Sequence, residues 1–166
     1  MTEASHEYLT FLLGDGEYGV DILCVQEIMV LTPTTEIPGV PDYIKGVINL
    51  RGVIVPIVDL RNRFGLREKP YDATTVVIVL RTQQAGRNVV LGIVVDAVSE
   101  VYKLSDADLK TAPDFGEAID SRFIHSLAAI EDQIIVLLDT HKLLDVKELY
   151  KVTQRAVPAA ELGGAA

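Results

Sequence analysis

The chain has 166 residues, 49% of them hydrophobic and 23% charged, the balance of a soluble globular protein able to bury a real core. Twenty-four acids against fifteen bases leave a net charge of -9, with no basic cluster to break that excess, so nucleic acid and anionic lipid surfaces are excluded as partners. No stretch approaches the roughly 20 apolar residues of a membrane span, and Met1-Thr2-Glu3-Ala4-Ser5-His6-Glu7 lacks the basic and apolar regions of a signal peptide, which points to a cytoplasmic protein without direct membrane insertion.

Residues 1–6 read as a flexible start. Tyr8–Leu13 and Glu17–Ile22 then read as a hairpin around Gly14-Asp15-Gly16. That turn resembles a phosphate loop only superficially: no Lys-Ser/Thr follows, and the next element is a strand rather than a helix. Cys24, the one cysteine, lies in an apolar run and reads as a small core residue. Val25–Leu31 is a third strand, followed by a connection held extended by Pro33, Pro38 and Pro41.

Residues 43–60 recur without a gap at 123–140. Ile44 matches Ile124, Leu50 matches Ile130, and Ile57-Val58-Asp59 matches Leu137-Leu138-Asp139, so each copy predicts a hairpin followed by an aspartate that caps a short helix. The turns differ, Asn49-Leu50-Arg51-Gly52 against Ala129-Ile130-Glu131-Asp132. Gly52 offers positive φ for its turn, with Arg51 projecting outward. Gly46, mirrored by Ser126, allows a close backbone approach.

Between the copies, Thr75–Thr82 and Asn88–Val95 read as β-branched strands and Val98–Leu104 as another. Val95-Asp96-Ala97 before Val98-Ser99-Glu100-Val101 echoes Val20-Asp21-Ile22 before Val25-Gln26-Glu27-Ile28. The two halves predict two small barrels, with five strands counted in the first half. A closing helix over 140–154 and a disordered tail over 155–166 complete the reading.

Catalytic chemistry is not visible. His6, His125 and His141 have no metal-ligand spacing, and Asp59 and Asp139 are explained by helix capping rather than as a carboxylate pair. No cofactor, nucleotide or metal is implied.

The run Pro38 to Arg61, and above all its end, Asn49-Leu50-Arg51-Gly52-Val53-Ile54-Val55-Pro56-Ile57-Val58-Asp59-Leu60-Arg61, closely resembles the signature of the CheW family of bacterial chemotaxis adaptors. The likeness continues through Thr75–Leu80, Gly92–Val101 and Leu143-Leu144, covering residues 7–150 as one CheW-like domain of two intertwined subdomains. It implies an all-β fold of two SH3-like five-stranded barrels around a shared hydrophobic core, with short helices and a C-terminal helix. It implies a non-enzymatic scaffold at membrane-associated receptor arrays, coupling the cytoplasmic tip of chemoreceptors to the regulatory domain of the histidine kinase CheA. An adaptor of a related chemosensory system, such as one for pilus motility, is the alternative. On the positions that match, the resemblance implicates Val25, Ile28, Val98 and Val101 in a receptor-binding groove, with Glu27 and Arg51 at its edge. Read from the residues alone, the valines fit either a groove wall or barrel core, and Arg51 either a contact or a solvated turn residue.

Overall fold

The computed structural model describes residues 5–67, 69–84, 86–111 and 123–143. The expected tail, and the closing helix beyond Leu143, lie outside them. Eleven strands are described: β1 Ser5–Leu13, β2 Gly16–Asp21, β3 Val25–Val30, β4 Ile44–Leu50, β5 Val53–Asp59, β6 Val76–Gln84, β7 Arg87–Val95, β8 Ala97–Ser105, β9 Leu109–Lys110, β10 Ile124–Ile130 and β11 Gln133–Leu138. Two four-residue helices, α1 Leu60–Arg63 and α2 Thr140–Leu143, follow β5 and β11. Ser5 and His6 lie in β1, opposite Ser105 and Leu104, so the strand enters the segment expected to be flexible.

The strands form a first sheet in the order β3-β6-β7-β5-β4 and a second in the order β8-β1-β2-β11-β10-β9. The short β9 aside, the two orders match strand for strand. Each has one parallel pair at the same place, β5 with β7 and β2 with β11. In both, a glycine faces a large side chain of the repeat: Gly92 opposite Ile57 and Gly19 opposite Leu137, where a Cβ would come within 2.7 Å of Ile57 and 2.9 Å of Leu137.

This arrangement corrects the expected halves. The hairpin β1–β2 joins the sheet built from β8 to β11, not the one built from β3 to β5. The chain therefore crosses between sheets twice, at the 3-10 turn Ile22–Cys24 and at Asp96. Cys24, expected in the core, sits half-buried in the first crossing, and burial pushes its thiol up.

Strands buried on both faces have continuous apolar sequences rather than alternating ones. In β6, Val77 and Val79 fill a small core with Ile48, Val55, Ile57 and Val94, while Ile78 and Leu80 point to a larger cluster shared by both sheets. In the second sheet Ile135 and Leu137 fill a matching core with Tyr8, Leu104 and Ala128, while Leu9, Phe11, Leu13 and Leu138 join the shared cluster. Through that cluster runs an aromatic chain, Phe11, Tyr18, Phe64 and Phe123, with ring centroids 5.9–6.3 Å apart. The protein is thus two SH3-like barrels around a common hydrophobic centre.

Both repeats end as their sequences require. The Asp59 carboxylate accepts from Asn62 N at 3.3 Å and caps α1, and the Asp139 carboxylate accepts from Lys142 N at 3.2 Å. Asp59 also accepts from the Tyr71 hydroxyl at 2.8 Å.

Candidate functional site

The edge strands β3 and β8 occupy equivalent places, each paired on one side only, with β6 and β1 respectively. Both carry a bulge in the echoed segment: the register shifts between Val25 and Glu27 in β3, and between Val98 and Val101 in β8. A bulge twists an edge strand and re-aims its side chains. In β8 it is fastened by Thr10 of β1, whose buried hydroxyl donates to Glu100 O at 3.0 Å and accepts from Glu100 N at 3.2 Å. The equivalent position in β6 is Val79, which has no hydroxyl to do the same.

The bulges divide the candidate apolar residues into two kinds. Val25 and Val98 are half-buried and pack on the shared cluster. Ile28 and Val101, opposite Ile78 and Leu9, are 44% and 48% exposed. The four residues therefore differ in exposure, two packed against the core and two open to solvent.

Arg51 and Glu27 form an ion pair that joins the tip of the β4–β5 hairpin to β3. The hydrogen bond from Arg51 holds the Glu27 carboxyl below its ordinary range, and Glu27 in turn raises Arg51. The turn that presents Arg51 has positive φ at both central residues, 51° at Arg51 and 90° at Gly52, the pattern of a type I′ hairpin. Sequence reading assigned that conformation to Gly52 alone. Asn49 Oδ1 accepts from Gly52 N at 2.7 Å and closes the turn. The second copy puts Glu131 in the same left-handed conformation, φ 54°, but Asp132, unlike Gly52, does not have positive φ, so the first turn residue is repeated with its charge reversed while the second is not. Its β8 partner position, Glu100, accepts from the Tyr102 hydroxyl at 2.7 Å, which pushes that phenol up to about 12.

Gly46 lies deeper. Its φ is +136°, and a Cβ there would stand 2.3 Å from Thr35 O, because Thr35 and Val47 exchange two backbone hydrogen bonds of 2.9 Å beside it.

Three contacts had no local signal in sequence. The Arg51 and Glu27 pair spans 24 positions, the Arg61 and Asp96 pair 35, and the Thr10 and Glu100 contact 90.

Two matched SH3-like barrels with bulged, partly apolar edge strands and a charged hairpin tip define a class of β scaffold that presents its edges and turns as surfaces. The family model for the CheW-like domain matches residues 7–148, and the chain belongs to the CheW family. It is 46% identical over 143 residues to the chemotaxis protein CheW of Klebsiella aerogenes, covering 86% of this chain and 84% of that one, and 35% identical over 148 residues to CheW of Rhizobium meliloti, covering 89% and 93%. Among solved structures it is similar to the scaffolding protein TtCheW from Thermoanaerobacter tengcongensis, with a TM-score of 0.76 at 31% identity over 87% of this chain and 96% of that one.

Proposed function

We propose that this chain is a non-enzymatic chemotaxis scaffold that couples the cytoplasmic tip of chemoreceptors to the regulatory domain of the histidine kinase CheA, working in the cytoplasm at membrane-associated receptor arrays. The observation that carries the reading is the matched pair of bulged edges: each offers one apolar residue anchored on the shared cluster, Val25 or Val98, and one exposed, Ile28 or Val101. Such a surface suits the apolar stripe of an amphipathic helix, and the receptor-binding set is Val25, Glu27, Ile28, Arg51, Val98 and Val101. Glu27 and Arg51 supply its charged edge, where charge complementarity selects partner and register. Gly46 and Gly52 support the surface from within the backbone. The names of the relatives, chemotaxis and scaffolding proteins, support the same role.

The test is a reconstituted mixture of receptor signalling fragment, kinase and this chain, with kinase autophosphorylation as the readout. Activation that requires the chain is expected. Kinase activity indifferent to its presence, with no co-sedimentation with either partner, would overturn the proposal.

A further inference from the structure

Arg63 stands where the two repeats meet. It is the last residue of α1, and its guanidinium carbon lies 4.5 Å from the ring centroid of Tyr43 and 4.5 Å from that of Phe123. These rings hold the same place in the two copies of the repeat, each just ahead of the first strand of its hairpin. Their backbones are tied in the same way, Asp59 N donating to Tyr43 O and Asp139 N to Phe123 O, both at 2.8 Å. One ring is therefore fastened to the first sheet and the other to the second, and a single cation touches both.

The chemistry suits arginine. A guanidinium is attracted to an aromatic face, more strongly where water is partly excluded, and its flat, weakly hydrated plane stacks as an ammonium cannot. Arg63 is half-buried, and among the described residues no carboxylate pairs with it. The second copy has Leu143 at the corresponding position, packed on the shared cluster as a plain apolar residue. Of the two repeat positions, one alone carries the charge.

We propose that Arg63 is a positioning residue that holds the two barrels in one mutual orientation and thereby sets the spacing between β3 and β8. The functional half of this inference rests on the receptor-binding reading above; the structural half does not. Val25, Val98, Tyr43, Phe64 and Phe123 belong to or pack on one cluster, so a rotation of one sheet against the other is felt at both edge strands.

The test uses spin labels at Val30→Cys on β3 and Lys103→Cys on β8, both exposed, in a Cys24→Ala background. Pulsed electron resonance then reads the distance distribution between them. A single narrow distance is expected with Arg63, a broadened or shifted one with Arg63→Gln, and an intermediate one with Arg63→Lys. Tyr43→Leu should broaden it as well. Affinity for a receptor-tip helical hairpin should fall roughly tenfold in Arg63→Gln, with binding to the kinase regulatory domain held within about twofold. An unchanged distance distribution in Arg63→Gln overturns the inference, and so does a broadened one with receptor affinity intact. If Arg63→Gln does not fold, Arg63→Lys and Tyr43→Leu decide in its place by the same two criteria. If the parent protein fails to bind the receptor hairpin, the receptor reading falls, while the distance measurement still decides whether Arg63 fixes the barrels.

Discussion

Arg61 grips both carboxylate oxygens of Asp96, Nε to Oδ1 at 2.8 Å and Nη2 to Oδ2 at 2.9 Å, with both side chains about 85% buried. Asp96 is the point where the chain crosses from the first sheet to the second, and its Oδ2 also accepts from Gly14 N in the β1–β2 turn at 2.8 Å. One ion pair therefore ties α1, the crossing and the turn of a hairpin belonging to the other barrel.

Removing one partner strands the other in a mostly dry site, so Arg61→Ala or Asp96→Ala should lower stability by about 2–4 kcal/mol, read by denaturant unfolding. Burial opposes ionisation of Asp96, but the hydrogen bonds from Arg61 and Gly14 outweigh it and hold the carboxyl below its ordinary range. A depressed folded value means that this contribution is present above the unfolded value near 4 and is lost as pH falls below that through the folded one. The stability of Asp96→Asn should therefore fall less steeply than that of the parent below about pH 4.

The edge-strand residues should separate by exposure. Val101→Asp and Ile28→Asp place a charge where water still reaches it and should leave the melting curve nearly unchanged while weakening receptor binding at least tenfold. Val98→Asp and Val25→Asp put the charge against the shared cluster and should cost about 2–3 kcal/mol of folding stability. Receptor affinity unaffected by Val101→Asp and Ile28→Asp, in folded protein, would remove these strands from the binding surface.

Arg51→Glu places a second acid beside Glu27 and should abolish receptor-dependent kinase activation with little change in melting temperature, since Arg51 is 67% exposed. Exchanging the pair, Glu27→Arg with Arg51→Glu, restores attraction between the hairpin tip and β3 but reverses the charges shown to a partner. If the pair only holds the turn, the exchange rescues activation. If Arg51 touches the receptor, as assigned here, it does not.

Gly46→Ala should be far worse than Gly52→Ala. Both have positive φ, but a Cβ at Gly46 meets the Thr35 carbonyl at 2.3 Å while one at Gly52 meets nothing within 4 Å. Expected losses are about 3 kcal/mol or more at Gly46 and about 1 kcal/mol at Gly52, compared by chemical denaturation. Equal losses would mean that the close approach of Thr35 to Val47 is not maintained in solution.

Much of this was legible in the chain itself. The recurrence of residues 43–60 at 123–140 determined two like hairpins, each followed by an aspartate cap, because hairpins and caps depend on neighbours a few positions apart. The signature through Arg61 marked the family, and the echo of 20–28 in 95–101 marked two matched strands. What the tertiary structure decided was which sheet receives β1 and β2, which of Val25, Ile28, Val98 and Val101 remain exposed, and that Arg51 meets Glu27. The apolar runs of the two barrels are alike enough that β1–β2 satisfies the pattern in either sheet. The choice rests on the parallel pairing of β2 with β11, made across more than a hundred residues, and on bulges that turn individual side chains inward or outward without leaving a mark in the local sequence.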